Sequence, residues 1–178
     1  MKKIEVFSRE QVSPESQIIF DQIQKRLGKV PNMHATIGSS STALKAFLDF
    51  EDILNQGVFS PVEREAIALV VSQVNDCRYC LAAHTLLAKT KGLSGEEIIN
   101  IRKGSASEKK LNSIIQLAKS IAENKGDAKA VFVQNFFNEG FSQGALMELI
   151  GLVTARTFTN YVYAIGNIPI DFPEVETI

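Results

Sequence analysis

Ser60-Pro61-Val62-Glu63-Arg64-Glu65-Ala66-Ile67-Ala68-Leu69-Val70-Val71-Ser72-Gln73-Val74 runs directly into Asn75-Asp76-Cys77-Arg78-Tyr79-Cys80-Leu81-Ala82-Ala83-His84. Ser60 is a helix N-cap, Pro61 suits the first helical position, and Glu63 completes a capping box three residues after the cap. Ile67, Val70, Val71 and Val74 then recur at helical spacing. Asn75 or Asp76 can cap a second helix that continues to Lys91-Gly92 and carries Cys77 in its first turn. Two capped helices in succession, with no alternating run between them, set the reading for the rest of the chain.

The same signals recur outward from this pair. Ser94-Gly95-Glu96-Glu97 repeats the capping box, and Ser13-Pro14-Glu15 opens a helix through Leu27 that Gly28 stops. Leu111, Ile114, Ile115, Ala118, Ile121 and Ala122 form a stripe ended by Lys125-Gly126. A final helix is predicted from Ser142 to Ala164, with Leu146, Leu149, Ile150 and Val153 facing inward, and segments 41–56 and 128–139 also read as helices. Lys29-Val30-Pro31-Asn32 reads as a turn, and Gly38-Ser39-Ser40-Ser41-Thr42 as a loop ending in a cap. The tail from Pro169 to Ile178 is expected to be extended and partly mobile. The chain is therefore expected to be all-α, a helical bundle of about seven to nine helices. It reads as one domain, 1–178, with its core motif at 58–92.

A short internal likeness accompanies this pattern. Asn55-Gln56-Gly57-Val58-Phe59-Ser60 and Asn138-Glu139-Gly140-Phe141-Ser142 each precede an apolar helix. An offset of 82 aligns Phe59 with Phe141, Ser60 with Ser142 and Tyr79 with Tyr161. This is the pattern of a duplicated helical hairpin in which only the first copy kept cysteines.

Composition bounds the function. The 178 residues are 45% hydrophobic and 22% charged, as in an ordinary globular protein. Nineteen basic residues face twenty acidic ones, a net charge of -1, so no positive excess exists to hold a phosphate backbone and nucleic-acid binding is not expected. The longest uncharged stretch, Thr157 to Ile170, is too short to span a bilayer as a helix. The start, Met1-Lys2-Lys3-Ile4, is basic but lacks the apolar run of a signal peptide, so a cytoplasmic protein is expected.

Cys77 and Cys80 are the only cysteines. In a reducing compartment a pair this close does redox chemistry or binds metal. Cys80 and His84 follow Cys77 at i+3 and i+7, so the three share one helical face and His84 is one turn from Cys80. A helix N-terminus and a nearby base both favour a thiolate, and thiols one turn apart can close a disulfide. Glu65 lies twelve residues before Cys77 on a helix that is apolar nearly all round. Its face either meets water or lines a pocket; in the pocket, desolvation would make Glu65 a useful proton relay. Zinc is the rival use of Cys77, Cys80, His84 and Glu65. Structural zinc sites usually draw on two separated ligand pairs, however, and a helical core of this size needs no ion, so no metal or cofactor is expected. His34 reads as structural, Arg78 as solvent-facing and Tyr79 as packing; Phe132, Phe136, Phe137 and Phe141 read as core or subunit interface.

Glu63-Arg64-Glu65-Ala66, the twelve-residue step and Cys77-x-x-Cys80-x-x-x-His84 resemble the alkylhydroperoxidase D-like branch of the carboxymuconolactone decarboxylase superfamily. Val30-Pro31-Asn32-Met33 and Asp171-Phe172-Pro173 are similar to its peroxidase-related subgroup. The resemblance implies an all-α bundle assembled as a trimer or hexamer. It implies that Cys80 is the peroxidatic cysteine, that Cys77 resolves it, and that His84, helped by Glu65, deprotonates Cys80 through a water. The substrate it implies is a hydroperoxide, with a thiol, lipoyl or thioredoxin-type reductant. Cys77, nearer the helix start, is expected to be the sulfur that a reductant reaches. The best-known peroxidases of the family carry a histidine just before the second cysteine, where this chain has Tyr79, which is no base near neutral pH. The decarboxylase branch lacks the cysteine pair, which points away from decarboxylation of small lactone acids. The alternative of another class is a non-enzymatic, redox-responsive oligomer.

Overall fold

The computed structural model describes residues 4–178. Among them are nine α-helices and no strand: α1 (Pro14–Leu27), α2 (Asn32–Ile37), α3 (Ser41–Leu54), α4 (Pro61–Val74), α5 (Arg78–Thr90), α6 (Gly95–Lys103), α7 (Lys109–Glu123), α8 (Ala130–Asn138) and α9 (Gln143–Gly166). Serine side chains cap five of them: Ser13, Ser40, Ser60, Ser94 and Ser142 each accept a backbone N–H from the first turn. Each such cap is worth about 1 kcal/mol against alanine. The bundle expected from cap and stripe spacing is present. The six-residue α2, directly after Pro31, shows no apolar period and was not anticipated.

Helix α4 is the axis of the bundle. Every residue from Ala66 to Ser72 is buried, because α5, α6, α7 and α9 pack around it. Its C-terminus closes as a Schellman motif: Cys77 N–H donates to Ser72 C=O (2.9 Å) and Asp76 N–H to Gln73 C=O (3.2 Å), with Asp76 left-handed at φ 51°. Cys77 then serves as the N-cap of α5, its sulfur accepting from Cys80 N–H at 3.2 Å. The predicted cap at Asn75 or Asp76 is thus displaced by two residues or one. The turn that ends α4 uses both residues and hands the cap to the cysteine.

Two apolar clusters meet at this junction. The larger holds Ile67, Leu69, Val70, Ile114, Leu117, Phe136 and Leu149, from α4, α7, α8 and the first half of α9. The smaller joins Phe20, Met33, Leu44 and Phe47, from α1 to α3, with Cys77, Tyr79, Cys80 and Ala155. Of the four residues expected to face inward on α9, Leu149 and Val153 are buried and Leu146 is partly so, but Ile150 points outward.

The internal likeness does not extend to a second hairpin. Ser60 and Ser142 do cap α4 and α9, and Phe59 and Phe141 touch each other with ring centroids 5.8 Å apart. Beyond the caps the copies diverge, since α9 runs unbroken past Tyr161 where the first copy breaks at residues 75–77.

The tail is docked rather than loose. Lys29 Nζ donates to Asp171 Oδ2 (2.8 Å), Tyr79 Oη donates to Asp171 Oδ1 (2.6 Å), and Asn32 Nδ2 donates to Pro169 C=O (2.9 Å). Arg102 holds Glu176 C=O at 2.9 Å. Burial alone would raise the Asp171 pKa, but the bonds from Lys29 and Tyr79 outweigh it and hold the carboxyl below its ordinary value. A carboxyl depressed in the docked state contributes docking stability above the ordinary Asp range and loses it as pH falls through the depressed value. Tail protection against proteolysis should therefore persist at pH 5 and be lost as the pH falls through and below the ordinary Asp range. Asp171→Asn should weaken protection at pH 7 and remove the acid step; an unchanged acid step in that variant would refute the latch.

Candidate active site

Cys77 and Cys80 are joined as a disulfide, with their Cα atoms 5.3 Å apart. Cys80 occupies the third position of α5, where the helix dipole and free N–H groups favour negative charge on sulfur. The expected accessibility is not seen. Cys77 is 0% exposed and Cys80 3% exposed, so the cysteine thought reachable from outside is as buried as its partner. The physical reason is the Schellman turn, which ties the Cys77 backbone to α4 and presses its side chain into the smaller cluster. Arg78 does face solvent.

His84 and Glu65, which the resemblance implies act together, lie in contact. His84 Nδ1 lies 2.8 Å from Glu65 Oε2, across the α4–α5 contact, with the two side chains 13% and 15% exposed. Glu65 does not stand free in water: its carboxylate is largely covered and engaged with His84. The other ring nitrogen, Nε2, lies 2.9 Å from Nη1 of Arg156, which enters from α9. Arg156 also ion-pairs with Glu51 of α3. Burial draws the Arg156 guanidinium down from its ordinary value to about 10, so it stays cationic at neutral pH. Four helices thus converge in a chain Glu65–His84–Arg156–Glu51.

Arg156 and Glu51 were not assigned from the sequence. The available signal was that Arg156 is the only cation of the 24-residue α9 and sits beside buried Val153 and Ala155. A lone charge on such a face needs a buried partner. Thr159, one turn further along α9, places its hydroxyl 3.7 Å from Cys80 Sγ while donating to Arg156 C=O at 3.0 Å.

Tyr79 is more than packing. It is 3% exposed, accepts from Met33 N–H at 3.1 Å, donates to Asp171, and burial raises its pKa far above the ordinary range. Its hydroxyl is committed to holding the tail and exchanges no proton near neutral pH. His34 fits its structural reading: burial, with the Arg26 and Arg156 charges nearby, pulls it down to about 4 and keeps it neutral. Among the described residues, no group of three or more His, Cys, Asp or Glu side chains converges as a metal cage. Both ring nitrogens of His84 are engaged, and the two sulfurs are bonded to each other.

Residues 42–108 match the model of the carboxymuconolactone decarboxylase family. That segment is similar to the family. It contains Glu51, Glu65, Cys77, Cys80 and His84, whereas Arg156, Thr159 and the latch at Asp171 lie outside it. No curated protein sequence matches the chain.

Solved structures extend the likeness over nearly all of the fold. The alkylhydroperoxidase AhpD core of a peroxidase-related protein from Ralstonia eutropha JMP134 superposes with a TM-score of 0.82 at 16% identity, covering 97% of this chain and 94% of that one. A peroxidase-related protein from Silicibacter sp. TM1040 gives 0.79 at 22% identity, over 94% and 92%. The debrominase Bmp8 in complex with 2,3,4-tribromopyrrole gives 0.80 at 15% identity, over 96% and 92%. The fold is the alkylhydroperoxidase D-like fold, and it carries a Cys-x-x-Cys pair at the start of α5.

Proposed function

We propose that this protein is a thiol-dependent hydroperoxide reductase. The observation that carries the reading is the Cys77–Cys80 pair at a helix N-terminus, one turn from a histidine already held by a carboxylate. With the disulfide reduced, His84 takes the Cys80 proton, directly or through one water. The Cys80 thiolate then attacks the terminal oxygen of ROOH. The O–O bond breaks, Cys80 becomes a sulfenic acid, and RO⁻ takes up a proton and leaves as ROH. The Cys77 thiol condenses with the sulfenic acid, releasing water and forming the disulfide. An external dithiol returns two electrons and two protons. Since both sulfurs are enclosed, that last exchange requires the 75–77 turn to open or the reductant to enter over Cys80.

Steady-state turnover of an alkyl hydroperoxide, with a lipoylated protein and a thioredoxin tried as donors, tests this reading. Sustained ROH formation is expected. Oxidation of the dithiol to one disulfide per chain, followed by silence, would instead mark a non-enzymatic redox-responsive protein. Bromide released from a brominated pyrrole, with no ROH from peroxide, would move the same dithiol chemistry to dehalogenation.

The chain is also proposed to act as a homo-oligomer. The outward face of α9 is apolar, with Met147, Phe158, Tyr161 and Ile165 at 54%, 39%, 58% and 72% exposure, and Ile53 of the neighbouring α3 is 69% exposed. This face, rather than the phenylalanine-rich 132–141 segment, is the uncovered one: Phe136 is fully buried, and Phe132, Phe137 and Phe141 are partly buried against the larger cluster. Sedimentation should find a trimer or hexamer at micromolar concentration, and a 19.6 kDa species alone would refute it.

A further inference from the structure

The motif supplies His84 with Glu65 but does not say what its second nitrogen does. In the structure that nitrogen, Nε2, is 2.9 Å from Nη1 of Arg156. A guanidinium has only N–H donors and no acceptor. The contact is a hydrogen bond only if Nε2 carries a lone pair. The imidazole proton therefore sits on Nδ1, which donates it to Glu65 Oε2 at 2.8 Å. Two partners together fix one tautomer, and the only nitrogen of His84 that can accept a proton is already covered.

We propose that Arg156 gates the base: it holds His84 in the receptive tautomer while the cysteines are joined, and must leave Nε2, keeping its pair with Glu51, before His84 can take the proton of Cys80. The proposal rests on the thiol-dependent reading above. In the gated step the S–H bond of Cys80 breaks and an N–H bond forms at Nε2. The thiol becomes a thiolate and the imidazole a cation, with no change of oxidation state. Arg156 keeps all its protons. An imidazolium with hydrogen on Nε2 would set two donors and two positive charges against each other at the present separation, so the Arg156 bond and the transferred proton exclude one another.

The site is built for such a withdrawal. Arg156 is already ion-paired with Glu51, so releasing His84 does not strand a buried cation. The guanidinium carbon also lies 5.9 Å from the centre of the Phe47 ring, a second place of rest for the charge. Apart from Cys77, the polar side chain beside the Cys80 sulfur is Thr159, and the Thr159 proton is committed to Arg156 C=O. His84 stands one turn along α5 from Cys80, and Arg156 covers the nitrogen with which it would take the Cys80 proton. Arg156 is thus a positioning residue, acting through His84 rather than on substrate.

The test uses the full-length protein, with no peroxide, so that its failure is distinct from failure of the peroxidase reading. Nitrogen-15 imidazole spectra of the oxidised protein should show Nδ1 protonated and Nε2 unprotonated in His84. In the reduced protein at pH 7, alkylation of Cys80 by iodoacetamide, followed by peptide mapping, should be about tenfold faster in Arg156→Met, the weight of one charge-assisted hydrogen bond. The gain should vanish in Arg156→Met/His84→Gln, and Arg156→Lys, which keeps a cation and a donor, should return the rate toward that of the parent protein. A rate that is unchanged or falls in Arg156→Met overturns the gate. So does a gain that survives loss of His84, which would mean mere loosening. If Arg156→Met does not fold, the imidazole spectrum decides: a protonated Nε2 in the oxidised parent protein refutes the proposal.

Discussion

Cys80→Ser should abolish hydroperoxide turnover, a loss of roughly a thousandfold or more, whereas Cys77→Ser should still consume one equivalent of peroxide per chain. Serine at residue 80 keeps the shape of the site but is not ionised near neutral pH, so the first nucleophile is gone. The helix N-terminus that favours a thiolate at Cys80, and the base one turn away, have nothing to act on. Removing Cys77 leaves both in place and deletes only the second sulfur. Peroxide consumption with varied enzyme concentration distinguishes the two outcomes: no reaction in Cys80→Ser, a single stoichiometric burst in Cys77→Ser. Equal loss in both variants would mean that the pair acts only as a unit.

Phe136→Ala should cost about 3–5 kcal/mol of unfolding free energy. Phe136 is fully buried, stacks on Phe141 with centroids 4.3 Å apart, and Phe141 in turn meets Phe59 at 5.8 Å. The three rings sit just ahead of the caps Ser60 and Ser142, where α4 and α9 begin. Those helices carry Glu65 and Arg156, so a cavity here loosens the frame of the site as well as the core. Denaturant unfolding measures the loss; a change below about 1 kcal/mol would show that the cluster is not packed as described.

What was legible in the sequence follows from what is local. Ser13, Ser60 and Ser94 announce their helices because a cap and its first turn are within four residues of each other. The start of α5 was misplaced because Asn75 and Asp76 are both good caps taken alone. Only the closure of α4 onto Ser72 and Gln73 shows that they belong to the turn. Cys77, Cys80 and His84 were legible as candidates because they share one helical face within two turns, whereas Glu65, on the helix before, was singled out only by the family resemblance. Arg156 lies 72 residues from His84 and became part of the site only when α9 packed across α4 and α5. The tail misled for a similar reason. Its composition reads as loose, yet Lys29, Asn32 and Tyr79, far away in the chain, hold it down.

The order in which the two sulfurs react is the centre of the account. Each single-cysteine variant, Cys77→Ser and Cys80→Ser, is reduced, given one equivalent of hydroperoxide in the presence of a sulfenic-acid trap, and mapped by mass spectrometry. The account predicts a trapped adduct on Cys80 in Cys77→Ser and none on Cys77 in Cys80→Ser. An adduct on Cys77 and never on Cys80 would reverse the assignment, and reaction of neither sulfur faster than a free thiol would contradict the peroxidase reading itself.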